Sequence, residues 1–133
     1  MNKNQYLKEV LSEVKTIAIV GASSKPEKDS YRVMETLINY GYEVFPVNPN
    51  YKGERILGKE CYPNLKSIKE KVHMVDIFRA KDFIFNLTKE AIEIKAEVLW
   101  TQEGITHEEA ANLGRRAGLI VVMDECPKKI LEG

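Results

Sequence analysis

The chain has 133 residues, with 20 Lys+Arg balanced by 20 Asp+Glu. That length suits one domain and excludes a nucleotide-binding domain joined to a separate catalytic domain of ordinary size. A formal net charge of zero excludes a global field that draws the protein to nucleic acid or an anionic membrane, so any anion site has to be built locally.

The first ten residues are polar and lack the apolar core of a signal peptide, and no later stretch is long enough to span a bilayer. A cytoplasmic protein is expected. Tyr6, Leu7, Val10, Leu11 and Val14 recur at helical spacing, which predicts a helix within residues 1–14 packing on a single domain, 1–133. Thr16–Val20 is a nearly continuous apolar run, the pattern of a parallel strand covered on both faces. It breaks at Gly21 into Ala22, Ser23, Ser24, Lys25 and Pro26, and a helix follows over 30–40. Val33, Met34, Leu37, Ile38 and Tyr40 form the inner stripe of that helix, Asp29 or Ser30 is placed to cap its start, and Gly41 to end it.

A strand, a small-residue turn and a helix converge backbone N–H groups and the positive helix end on one point, and phosphate is the expected guest. The three-glycine dinucleotide fingerprint is not met, because only Gly21 is present.

Tyr42–Val47 reads as the second strand, stopped by Asn48, Pro49 and Asn50. Residues 51–71 are irregular, interrupted by Gly53, Gly58 and Pro63, with a short helix near 65–70, and are expected to cover the ligand. Then come a strand over 72–78, a helix over 81–94, a strand over 96–100, a helix from a Thr106 cap to Ala117, and a strand over 119–123. This alternation predicts an α/β, Rossmann-like, doubly wound domain. Its five-stranded parallel sheet, most simply in the order 3-2-1-4-5, has helices on both faces.

In such a sheet the ligand crevice lies beyond the carboxyl ends of the strands. A site for NAD wants an acid after the second strand, where this chain has Asn48. Lys52 and Arg55 follow soon after and suit a phosphorylated ribose, either the 2′-phosphate of NADP or the 3′-phosphate of coenzyme A. Arg79 ends an apolar strand at the same crevice. Cys61 and Cys126 lack CxxC spacing, and His73 and His107 have no accompanying ligand set, so reduced thiols and no structural metal are expected.

Seven blocks, in order, resemble the stand-alone CoA-binding domain proteins, whose Rossmann-like fold is shared with the CoA-binding domain of succinyl-CoA synthetase alpha subunits. They are Ile19-Val-Gly-Ala-Ser-Ser-Lys-Pro26, Ser30-Tyr-Arg-Val33, Gly41-Tyr-Glu-Val-Phe-Pro-Val-Asn-Pro49, Leu57-Gly-Lys-Glu-Cys-Tyr-Pro63, Val75-Asp-Ile-Phe-Arg79, Trp100-Thr-Gln-Glu-Gly104 and Val122-Met-Asp-Glu-Cys-Pro127. The resemblance implies that Gly21, Ala22 and Ser23 approach the pyrophosphate of coenzyme A, with Lys25 and Ser30 near it. It implies further that Val47, Asn48 and Pro49 border the adenosine, that Lys52 meets its phosphate, and that Phe78, Arg79, Thr101, Gln102 and Glu103 flank the ligand's centre. Where such proteins often read Met-Asp-Arg-Cys-Pro, this chain carries Glu125, which removes a positive charge from the crevice rim.

Cys126, Asp124, Glu103 and Glu125 are the candidate reactive groups near the crevice, and none forms a recognisable acid–base or nucleophile pair. The leading expectation is a non-catalytic binding or regulatory module for coenzyme A or an acyl-CoA. The alternatives are an NADP-binding oxidoreductase-like protein, or an acyl-CoA-processing enzyme using Cys126. A small molecule is thus the expected partner; a homodimer through Trp100 and the outer helices, or an unknown protein, is the further candidate.

Overall fold

A computed structural model describes all 133 residues. The chain runs α1 (Lys3–Ser12), β1 (Thr16–Val20), α2 (Asp29–Asn39), β2 (Glu43–Val47), a short antiparallel hairpin of β3 (Arg55–Ile56) and β4 (Lys59–Glu60), β5 (Met74–Ile77), α3 (Ile84–Glu93), β6 (Val98–Thr101), α4 (Glu108–Arg116), β7 (Ile120–Val122) and α5 (Pro127–Glu132). Five of the strands form one parallel sheet in the order β2-β1-β5-β6-β7.

Alternation along each strand divides the apolar side chains between two layers. Ile17, Ile19, Val44, Met74, Val98, Trp100 and Val122 pack with Leu11 of α1, Met34 and Leu37 of α2 and Ile130 of α5. Ala18, Val20, Phe45, Val75, Ile77, Leu99 and Val121 pack with Ile84 and Leu87 of α3 and Ala110 of α4. The doubly wound α/β class is therefore as the alternation predicts. No helix is long and apolar enough to cross a membrane.

The lateral position of β5 is decided by a feature the strand pattern does not carry. In the order 3-2-1-4-5 this third long strand lies outside β2, whereas it pairs with β1, Ile17 opposite Met74 through Val20 opposite Ile77. The outer edge of β2 is taken by the intervening segment: Tyr62 N–H donates to Pro46 O (2.9 Å) and Asn48 N–H to Tyr62 O (2.9 Å). With that edge occupied, the chain crosses to the free edge of β1. The reversal of strand order then falls between β1 and β5, and their carboxyl ends define the crevice.

Several local expectations shift. Helix α4 is capped by His107, whose Nδ1 accepts from Ala110 N–H (3.1 Å), rather than by Thr106. Tyr40 is exposed, its hydroxyl donating to Leu131 O (3.2 Å), so it leaves the inner stripe of α2. Gly41, at φ +95°, ends that helix as expected. Trp100 is fully buried, with Nε1 donating to Glu125 O (2.9 Å), and so offers no face to a second subunit. The six-residue α5, which no sequence pattern announces, begins at Pro127 and lies over the open side of the crevice.

Candidate functional site

The turn after β1 is held by contacts that only its residues permit. Gly21, at φ +90°, would carry a Cβ 2.3 Å from Phe78 O and 3.1 Å from Arg79 Cδ, so its bareness lets the β1 turn close against the end of β5. The N–H groups of Gly21 and Ala22 both donate to Val47 O (2.9 and 3.3 Å). Asn48 completes the clamp, Nδ2 donating to Ala22 O (2.9 Å) while Oδ1 accepts from Asn50 N–H (2.9 Å). An acid at this position could not donate to Ala22. The residue where NAD sites want a carboxylate is here a brace for the turn.

With Gly21 and Ala22 committed to β2, the backbone donors free for an anion are the next ones along. Ser23 and Ser24 N–H, and Asp29 and Ser30 N–H at the start of α2, have no acceptor in the chain. Contrary to expectation, neither Asp29 nor Ser30 caps α2: the helix starts from Lys28, no side chain accepts from its first turn, and the Asp29 carboxylate pairs with Arg32 (3.0 Å). An 11-residue helix with an uncapped positive end thus faces a turn with free N–H groups. Lys25 and Lys28 line the same hollow, as does Tyr51, whose phenol is held below its usual pKa by the hydroxyls of Ser23 and Ser24 and by the nearby Lys25.

Three adjoining cavities run along the strand ends. The central one, of 440 Å³, is lined by Gly21, Ala22, Ser23, Lys25, Lys28, Ser30, Asn48 and Tyr51. It shares Gly21 and Asn48 with an outer cavity of 200 Å³ that also takes in Val47, Pro49, Leu65 and Arg79. It shares Asp29 and Phe78 with a cavity of 470 Å³ under α5, lined further by Arg32, Val33, Gln102, Glu103, Cys126, Lys128, Lys129 and Glu132. Arg79 lies over the Phe83 ring, 3.8 Å from its centre.

Of the ligand-contact residues singled out in the sequence, Lys52, Arg55 and Thr101 stand apart from these cavities; Arg55 Nη1 donates to Gly58 O (2.9 Å) within the β3–β4 hairpin. Lys52 borders a different hollow with Glu60, Cys61 and Tyr62. Thr101 is fully buried, its hydroxyl donating to Ile105 O (2.7 Å) and accepting from Asp124 N–H (3.3 Å), and its role is to tie down the loop after β6. Glu125 turns away to pair with Lys3 of α1 (2.5 Å), so the charge it introduces is answered outside the crevice.

The two histidines serve the frame. His73 Nδ1 accepts from Lys15 N–H (3.0 Å) at the amino end of β1, and His107 caps α4. No cluster of three or more His, Cys, Asp or Glu is arranged to hold a metal ion. Cys61 is buried, its thiol pKa pushed up by that burial, whereas Cys126 lines the cavity under α5.

Sequence reasoning missed Asp76, which sits inside the apolar run of β5. It is fully buried, Oδ1 accepts from Gln102 Nε2, and Oδ2 has no partner. Burial raises its pKa from 3.8 to about 8, the Gln102 hydrogen bond opposing only part of that rise. It also missed Lys128, Lys129 and Glu132, because α5 itself was not legible; Lys129 Nζ pairs with Glu103 (2.8 Å) across the mouth of the cavity.

Residues 15–132 match the family model described as "CoA binding domain". An uncharacterised protein of Bacillus subtilis, YneT, is 35% identical over 122 residues, covering 92% of this chain and 89% of that one. A hypothetical protein from Pyrococcus horikoshii has a solved structure that superposes with a TM-score of 0.92 at 37% identity, over 98% of this chain and 91% of that one. The alpha subunit of the ADP-forming acetate–CoA ligase II of Pyrococcus furiosus is 30% identical over 121 residues, but they span 83% of this chain and 26% of that subunit.

Proposed function

This chain belongs to the CoA-binding domain family, and from that premise we propose that it binds coenzyme A or an acyl-CoA along the three adjoining cavities, as a binding or regulatory module without catalysis of its own. The observation that carries this reading is the central cavity, where free backbone N–H groups, the uncapped end of α2 and two lysines converge beyond the strand-order reversal.

The diphosphate takes this central cavity. The outer cavity, walled by Val47 and Pro49 and faced by Arg79, suits an adenosine with its phosphate; the 470 Å³ cavity under α5, with its mixed lining, suits an amide-bearing arm. Lys25, Lys28 and Arg79, rather than Lys52, supply the positive charge, which weakens the case for a ribose phosphate read at Lys52 in NADP as in coenzyme A. A binding role fits the reactive groups, since no histidine lines the groove, Glu103 is paired with Lys129, and Cys126 Sγ is hydrogen-bonded to no base.

Thermal melting with and without coenzyme A tests the proposal. At 100 times its dissociation constant a ligand adds about 2.7 kcal/mol, a rise in Tm of roughly 10 °C for a domain of this size. An unchanged Tm over millimolar coenzyme A, with a rise on adding NADP, would overturn it.

A further inference from the structure

Asp76 is the one carboxylate among the buried residues, and one of its oxygens has no partner. It lies in register with Ile19 of β1 and Trp100 of β6, facing the layer of α1, α2 and α5, as does Phe78 two residues on. Keeping an under-bonded acid where an aliphatic side chain would pack is costly, so what it holds in place is informative.

What it holds is Gln102. The Gln102 amide nitrogen donates to Asp76 Oδ1 and to Ile77 O (3.4 Å), which occupies both amide hydrogens. A backbone carbonyl only accepts, so Ile77 O prevents the amide from turning over. Gln102 Oε1, with no partner in the chain, is then the polar atom this side chain presents to the cavity under α5. Around it the lining by Val33 and Phe78 is apolar, and the carboxylates of the lining are taken up in ion pairs, Glu103 with Lys129, Asp29 with Arg32 and Glu132 with Lys128.

The geometry points to Asp76 as a positioning residue: by fixing Gln102 it sets a single directed hydrogen-bond acceptor in the cavity under α5, selecting a ligand arm that carries an N–H donor over the bare nucleotide. The inference rests on the coenzyme A reading and names the part of the ligand that the inner cavity recognises. An acceptor held in one orientation loses little entropy on binding, which is how a second residue behind it contributes to selectivity.

Calorimetric titration at neutral pH of the wild type, Gln102→Leu, Asp76→Val and Asp76→Asn tests it, each against coenzyme A and against adenosine 3′,5′-bisphosphate, which lacks the arm. Gln102→Leu and Asp76→Val are expected to weaken coenzyme A about tenfold, the order of one lost hydrogen bond, while adenosine 3′,5′-bisphosphate changes less than twofold. Asp76→Asn, whose carboxamide oxygen still accepts from Gln102, is expected to retain wild-type affinity for both. Equal losses for the two ligands, undiminished coenzyme A binding by Gln102→Leu, or failure of Asp76→Asn to retain affinity would overturn the inference while leaving the coenzyme A reading standing. A wild type that binds neither ligand would overturn that reading, and this inference with it. Gln102 lies in the groove wall, so its variant carries the test even if Asp76→Val does not fold.

Discussion

Replacing Asp76 by Asn keeps the shape and the acceptor for Gln102 but removes a proton equilibrium that burial distorts. The folded state holds the Asp76 proton with a pKa of about 8, against 3.8 for an ordinary aspartate. Between those values the folded chain binds more protons than the unfolded chain, so wild-type stability falls as pH rises through the window and levels off above it. Near neutral pH the cost is at most about 4 kcal/mol, from about 1.4 kcal/mol per pH unit across the interval. Asp76→Asn should therefore be more stable than wild type at neutral pH, with the advantage shrinking toward pH 4 and widening toward pH 8. Urea denaturation of both proteins across this range, read as the difference between the two curves, isolates Asp76 from the other carboxylates. Parallel curves, or a variant less stable than wild type at neutral pH, would refute the reasoning.

Gly21→Ala places a Cβ against Phe78 O in a positive-φ backbone, and should lower stability by roughly 2–4 kcal/mol without any ligand, as urea midpoints would show. A bulkier residue there is therefore no clean probe of phosphate approach. Asn48→Ala unbraces the turn after β1 and should cost about 1–3 kcal/mol, with weaker coenzyme A binding in calorimetry. The double variant Lys25→Ala/Lys28→Ala should melt at the wild-type temperature, yet bind coenzyme A about tenfold more weakly and with a flatter salt dependence, because both lysines are exposed and unpaired in the free protein.

Much of the fold was legible because its information is local. Thr16–Val20 reads as a buried parallel strand from its own five residues, and Gly41 marks a helix end through the backbone freedom it alone supplies there. The lateral place of β5 was not legible, because it depends on Tyr62 occupying the edge of β2 from within a stretch with no regular pattern. Helix α5 escaped notice because six residues make less than two turns of periodicity, and Pro127 reads as an end as readily as a beginning.

The candidate site divides along the same line. The turn at Gly21 and the strand-end residues Asn48, Phe78, Arg79 and Gln102 follow from strand positions alone, and the structure gathers them along one crevice. The brace that Asn48 makes to Ala22, and the hold of Asp76 on Gln102, depend on cross-strand register, which residue order does not display. An aspartate within Val75-Asp-Ile77 looks like the polar face of a half-exposed strand until both faces prove to be covered.

The most direct measurement is an amide N–H correlation spectrum of the isotope-labelled protein recorded through a titration with coenzyme A. The account predicts saturable shifts concentrated at residues 21–30, 48–51, 78–79 and 102–103 and at the start of α5, with the amides of Ser23, Ser24, Asp29 and Ser30 moving most. No saturable shift, or shifts clustered around Lys52, Cys61 and Tyr62 instead, would contradict it.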